Sequence, residues 1–286
     1  MSPKMGSRSG ARLTEPRYSQ SLETGLLVMK GFSSQTPLQG IADVADRMEA
    51  SRSTVHRYMT TLVALGMLEQ DSLSRRYRVS LLPADIGAAA LDASRVVQAL
   101  DGQLVKLRRK TGYTVRLGVL VDRDVLLAGV ARSVAEGQGL LGVQLRRGAS
   151  LPAHATALGK VLLGGLDAKL LREMLASTAL AKLTPKTITS KRAFTTEVAE
   201  AKEQGFALEQ EEAEQGTVSV AVPVFDSDGD QVAALGLVGH LPEVSIKELQ
   251  SSLVALKDAA DAIGQRVGER ETRRRSRRRA VAQAES

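Results

Sequence analysis

Apolar residues recur at three- and four-residue spacing over most of this chain and alternate in only a few stretches. "SQSLETGLLVMKGF" predicts a first helix with Leu22, Leu26 and Met29 on one side. "LQGIADVADRM" predicts a second, since Ile41, Val44, Ala45 and Met48 make one stripe. "SRSTVHRYMTTLVALGMLEQ" comes after a short gap. Ser51 suits its N-cap, and Val55, Tyr58, Met59, Leu62 and Val63 repeat the stripe. At about 100° per residue, Ser53, Arg57 and Thr60 fall on the opposite face, flanked by Thr54 and His56. Beyond Gly66, "MLEQ" and "YRVS" predict a two-stranded hairpin with Arg75 and Arg76 at its tip. Three short helices and a basic hairpin are the layout of a winged helix-turn-helix.

The pattern then changes. "LLPADIGAAALDASRVVQALDGQLVKLRRKTG" predicts helix broken near Asp92 or Asp101, a linker helix and the opening of a second domain. "YTVRLGVL", "VDRD" and "VLLAGVA" predict strand, turn and strand. "LPAHATALGKVLLGGL" predicts a loop entering a helix, and two more helices come after it. "TVSVAVPVF", "DSDGD" and "QVAALGLVG" predict a hairpin turning at Asp228-Gly229, with Pro223 marking an edge or a bulge. "SIKELQSSLVALKDAADAIGQRV" predicts a closing helix. The expected fold class is α+β: a winged helix-turn-helix, a linker helix, and a domain with antiparallel sheet backed by helices.

Charge adds a partner to this outline. The net charge is +7, but residues 1–80 carry +4, residues 81–264 carry −2, and residues 265–286 carry +5. Positive ends around a slightly acidic centre suit a polyanion at the ends and another ligand in the middle. A solvated surface is the plain alternative. Cysteine is absent and His occurs three times, which excludes disulfides and thiolate metal sites and argues against a His-rich metal centre; no cofactor is expected. No run of apolar residues is long enough for a membrane span, and no signal peptide is evident. The cytoplasm is the expected location.

Several motifs carry candidate chemistry. Arg57 suits a bidentate contact to guanine. Ser53, Thr54 and His56 suit bases or phosphates. Arg52, Arg75 and Arg76 suit the DNA backbone. An exposed basic face on a protein-interaction module is the competing reading. "GQGLLG" at 137–142 matches a dinucleotide fingerprint but precedes no helix, and "LGK" at 158–160 lacks the first Gly and the Ser/Thr of a phosphate loop. His154 lacks a matched nucleophile and reads as a hydrogen-bonded structural residue. Glu209, Glu211 and Glu212 either hold a metal or make a solvated loop, the commoner case. In residues 217–225, the valines share one face, which should sit on helices. Thr217, Ser219 and Ala221 share the other, which suits a cavity. Arg116 interrupts an apolar strand, as an outward residue or as the partner of an anionic ligand. The arginines of "RRRSRRR" either add non-specific DNA affinity or form an unbound end.

Taken together, "SQSLETGLLVMKGF", "LQGIADVADRMEASRSTVHRYMTTLVALGMLEQ" and "LPAHATALGKVLL" resemble the IclR family of bacterial transcriptional regulators, from about Tyr18 to Gly268. "GIAD", the recognition helix and "TITSKRAF" resemble its branch of protocatechuate and 4-hydroxybenzoate regulators. Composition predicts a disordered arm at 1–17 and an Arg-rich disordered tail at 269–286, and with the resemblance the chain divides into a winged helix at 18–82, a linker helix at 83–96 and a GAF/PAS-like effector domain at 97–268. The resemblance implies a homodimer or dimer of dimers on palindromic double-stranded DNA, and a small organic acid as effector. The acid's carboxylate would meet the backbone at Ala157 and Leu158. Glu209, Ser219 with Thr217, and Gly236 and Val238 occupy the other positions the family uses. Gly236 and Val238 replace hydroxyl residues of some relatives, so a roomier pocket for an aromatic or larger acid is expected. Glu49 stands where relatives commonly have Gly, and a left-handed turn there costs about 1 kcal/mol. The function expected is a ligand-controlled DNA-binding regulator and not an enzyme. A basic interaction module and a small-acid-converting enzyme are the alternatives.

Overall fold

The fold is that of a computed structural model, which describes residues 18–33, 36–100, 102–133 and 146–284, with side chains as far as Glu269. Contacts divide the chain into two compact units between Ala90 and Leu91.

The first unit opens with α1 (Gln20–Lys30), α2 (Ile41–Met48) and α3 (Arg52–Ala64), and then the hairpin β1 (Leu68–Gln70) and β2 (Tyr77–Val79). Its core is Val28, Val44, Ala45, Val55, Met59, Leu62, Leu68 and Tyr77. The stripes expected on α2 and α3 face this core. The one expected on α1 does so only in part: Met29 packs against the core beside the buried Val28, while Leu22 and Leu26 are 63% and 52% exposed. A three-turn helix touching its neighbours through one side leaves its other apolar residues in water. Between α2 and α3, Glu49 takes the left-handed conformation at φ 53° despite lacking glycine's freedom. Ser51 then caps α3 by accepting from the Thr54 N–H at 3.1 Å. The hairpin is tied to the approach to α2 by paired backbone hydrogen bonds between Gln39 and Tyr77. Arg76 adds an ion pair with Asp43.

Helix α4 (Leu82–Ala93) comes next, with no buried residue along its length. The second unit continues with α5 (Arg95–Ala99) and α6 (Gln103–Thr111). Val96 and Ala99 of α5 lie in the second unit's core, so that unit begins ahead of residue 97. Its sheet has six antiparallel strands in the order β5-β4-β3-β8-β7-β6. They are β3 (Thr114–Val121), β4 (Asp124–Ala131), β5 (Ser150–Pro152), β6 (Ala207–Gln210), β7 (Thr217–Phe225) and β8 (Gln231–His240). Pro223 lies past the end of the β6 pairing, where β7 is locally an edge, so its missing N–H breaks no ladder.

One face of the sheet presents Val115, Leu117, Val218, Val220, Val222, Val224, Leu235 and Leu237. This face packs on α5, α6 and the closing helices α10 (Ile246–Ser251) and α11 (Leu253–Ala284). The valine face therefore sits on helices, as its parity predicted. The other face is covered by α7 (Ala157–Gly164), with α8 (Ala168–Ala176) and α9 (Lys191–Gln204) beyond it. Helix α11 runs on to Ala284, where a disordered tail was expected from residue 269. That end contains Arg, Glu, Ala and Gln but no Gly or Pro beyond Gly268, so a helix already nucleated by packing meets no residue that stops it. The arm at 1–17 and "GQGLLG" lie outside the described residues.

Candidate DNA interface and effector site

The first turn of α3 is presented to solvent. Arg52, Ser53, His56, Arg57 and Thr60 are exposed. Three hydroxyls cluster at its start: Ser51 Oγ lies 2.9 Å from Ser53 Oγ and 2.8 Å from Thr54 Oγ1. Thr54 is only partly exposed, so its hydroxyl serves the cap first. The Arg57 guanidinium sits 5.8 Å from the Tyr58 ring centre, a cation–π contact that limits its wandering on an exposed face.

The hairpin turn is also ordered. Asp71 accepts from the Ser74 N–H at 2.7 Å and from its hydroxyl at 2.6 Å, and these bonds hold the carboxyl below the usual carboxylate range. Gln70 Nε2 donates to the Arg75 carbonyl at 3.0 Å, and Arg75 sits at φ 57°. Of the two tip arginines, Arg76 is engaged with Asp43 and Arg75 projects beside it. Arg76 thus positions the wing as well as supplying charge.

The second constellation is assembled by sheet register. Glu209, Ser219, Val238 and Thr114 lie side by side across β6, β7, β8 and β3. The next row on that face is Ala207, Ala221, Gly236, Arg116 and Val130. Thr217 is two residues before Ser219 and shares its side. All these positions face α7, whose Leu158 side chain rests on the sheet. The structure therefore brings Ala157, Leu158, Glu209, Thr217, Ser219, Gly236, Val238 and Arg116 to one face. Arg116 lies on this enclosed side and not on an outward one, because Val115 and Leu117 are fully buried in the opposite face.

The space above Gly236 is not open, contrary to the expectation of a roomier pocket there. A Cβ at Gly236 would stand 2.9 Å from the Val220 carbonyl oxygen and 3.2 Å from Leu158 Cδ2. A Cβ at Gly118 would stand 2.4 Å from Val125 Cγ1 and 3.4 Å from Leu158 Cδ1, and Gly159 has Ala153 backbone atoms from 2.0 Å where a Cβ would be. These glycines seat α7 against the sheet and the preceding turn. Its start is capped by Thr156, which accepts from the Gly159 N–H at 3.0 Å. The N–H groups of Ala157 and Leu158 have no acceptor within the helix and carry its positive dipole end, which suits an anion.

Beneath α7 lies a buried polar network. Lys160 is 1% exposed and donates to Glu212 Oε1 at 2.6 Å, Glu197 Oε2 at 2.9 Å and the Leu208 carbonyl at 3.2 Å. Glu209 accepts from Ser219 Oγ at 2.8 Å and from the Glu212 N–H at 2.7 Å. Burial pushes the Glu209 and Glu212 carboxyls upward, against these hydrogen bonds and the Lys160 charge. Thr184 and Thr187 clasp the same turn through the Glu211 carbonyl at 2.6 Å and the Glu212 carbonyl at 2.7 Å. The acidic run is thus an enclosed turn and not a solvated loop, with Glu211 alone reaching an exposed partner, Lys186. No group of three metal-ligating side chains occurs among the described residues. His154 lies 2.9 Å through Nε2 from the Ala181 carbonyl, the structural role expected of it.

Sequence reasoning missed the roles of Lys160, Thr184 and Thr187, and read Glu212 only as part of a solvated loop or a metal site. The visible signal was a lysine inside "ALGKVLLGG", where an unpaired charge would be too costly to bury.

Comparison with known proteins settles the frame. Residues 21–72 match the IclR helix-turn-helix domain, and residues 88–265 match the bacterial transcriptional regulator IclR C-terminal domain. The chain belongs to the IclR family. It is 33% identical to the HTH-type transcriptional regulator XynR of Escherichia coli, over 87% of this chain and 97% of that one. It is 30% identical to the p-hydroxybenzoate hydroxylase transcriptional activator of Acinetobacter baylyi, over 84% and 88%. An IclR-family regulator from Brucella abortus shares the fold, with a TM-score of 0.76 over 89% of this chain and 95% of that one at 19% identity. As an IclR-family protein the chain is a DNA-binding transcriptional regulator, and its winged helix is the DNA-binding part. The interaction-module and enzyme alternatives gain no support from these relatives.

Proposed function

We propose that this regulator reads a palindromic operator as a homodimer or dimer of dimers in the cytoplasm, and that a small organic acid held beneath α7 controls it. The observation that carries the effector reading is the convergence of the α7 N-terminus, Arg116, Ser219 and Glu209 on one covered sheet face. Two backbone N–H groups and a guanidinium suit a carboxylate, while Ser219 and Glu209 suit a polar group at the acid's far end. Leu158, Val130 and Val238 supply apolar contact for an aromatic or similarly large acid. The aromatic reading draws further support from the relative that activates p-hydroxybenzoate hydroxylase.

The site is built for binding and not for turnover. The Ser219 hydroxyl is given to Glu209 and His154 Nε2 lies against a backbone carbonyl, an arrangement that supports binding. On α3, Arg57 and its neighbours read bases, while Arg52 and the wing arginines hold phosphates. Assembly is supported by Leu22, Leu26, Leu82 and Ile86, apolar residues left exposed on α1 and α4. No helix among the described residues is long and apolar enough to cross a membrane.

Calorimetric titration with 4-hydroxybenzoate, protocatechuate and aliphatic dicarboxylates tests the effector reading. One acid should bind, release or tighten the operator complex, and lose affinity in Arg116→Ala. Binding of every acid equally in wild type and Arg116→Ala would contradict it.

A further inference from the structure

The end of α11 carries a second charge pattern that the winged helix does not account for. The packed part of the helix closes at Val267, which is fully buried, and at Gly268, where a Cβ would lie 2.2 Å from Ser227 Oγ. The family match stops at residue 265, ahead of the Arg-rich end. The helix continues to Ala284, about 24 Å of further rise. Its next eleven residues, "ERETRRRSRRR", contain no apolar side chain. A helix that is polar all round has no face to bury and draws no stability from packing.

Its own charges oppose it as well. Arg273 and Arg277, Arg274 and Arg278, and Arg275 and Arg279 are each four residues apart, where like charges destabilise a helix. Only Glu269 and Glu271 precede them as counter-charges. Residues 265–286 hold +5, while the effector region they adjoin holds −2. A polyanion neutralises this repulsion and stabilises the helical form in the same step. The macromolecule this chain already engages through its winged helix is DNA.

We propose that the Arg-rich end of α11 is a second, sequence-independent DNA contact that grips phosphates and anchors the regulator near its operator. Guanidinium groups suit phosphate oxygens, and each phosphate neutralised releases counterions without reading bases. The segment raises affinity for all duplexes alike and leaves discrimination to α3.

The test uses the full chain and a variant carrying Arg273→Gln, Arg274→Gln, Arg275→Gln, Arg277→Gln, Arg278→Gln and Arg279→Gln. Glutamine keeps helix propensity and removes charge. Binding to a random-sequence duplex is followed by anisotropy from 50 to 200 mM salt. Each lost phosphate contact lowers the slope of log affinity against log salt by about 0.9, so a fall of about 3 to 5 is expected, with at least about tenfold weaker binding at intermediate salt. An unchanged slope and affinity would overturn the proposal. So would a loss confined to single-stranded RNA or to phosphatidylserine vesicles, which would give the segment another partner. A steeper wild-type slope with no preferred duplex sequence would uphold this inference and count against the operator reading, so the two stand apart.

Discussion

Helices α3 and α7 start alike and end up in opposite surroundings. Each is capped by a hydroxyl accepting from the third residue's N–H, Ser51 from Thr54 and Thr156 from Gly159. The first turn of α3 faces solvent with Arg52, Ser53, His56 and Arg57, whereas all eight residues of α7 are buried. One N-terminus meets a long polyanion and can rely on exposed arginines. The other is enclosed by a sheet face and fixed by glycine seats and a buried lysine. The difference is one of enclosure: a large partner needs access and charge, and a small one needs a preformed shell.

The comparison breaks most sharply at Lys160. Lys160→Ala leaves the buried Glu212 carboxylate without its cation and should cost the effector domain about 3–5 kcal/mol in denaturant unfolding. Arg52→Ala, also losing a charge at the start of a capped helix, should change stability by less than about 0.5 kcal/mol. Gly159→Ala comes next. Its Cβ would collide with Ala153 backbone atoms, so a loss of about 1–3 kcal/mol is expected from thermal or chemical unfolding.

Arg57→Ala should leave unfolding unchanged but cost operator binding about 1–3 kcal/mol, with little change on random duplex. Arg75→Ala should weaken both duplexes equally and lower the salt slope by about 1.

Glu209 sharpens the enclosed side through pH. Burial holds its folded carboxyl above the ordinary value of 4.5, so the folded state keeps a proton that the unfolded chain releases. This contribution is fully present below that ordinary value and is lost as pH rises through the raised folded value. Glu209→Gln should flatten this fall, measured by urea midpoints from pH 4 to pH 8. A stability difference from wild type that does not vary with pH would contradict it.

Much of this was legible in the sequence, for identifiable reasons. The α2 and α3 stripes, the Ser51 cap and the valine parity of β7 are local periodicities, and local periodicity survives folding. The side on which Arg116 lies was not legible, since a strand's parity says which residues share a face but not which face is covered. Gly236 was misread as open space because a missing side chain looks the same whether it makes a cavity or admits Leu158. The Lys160 network escaped notice because its partners lie far along the chain and are joined only by packing. Leu22, Leu26 and Met29 were read as one side of α1, and helical spacing marks an apolar face without naming what covers it.

The central claim is that α3 reads sequence. The measurement is anisotropy at fixed, near-physiological salt, comparing duplexes from upstream of this gene and its neighbours with a shuffled control, for wild type and Arg57→Ala. A preference of about a thousandfold, largely lost in Arg57→Ala, is the predicted result. Equal, weak and steeply salt-sensitive binding to every duplex, unchanged in the variant, would contradict it.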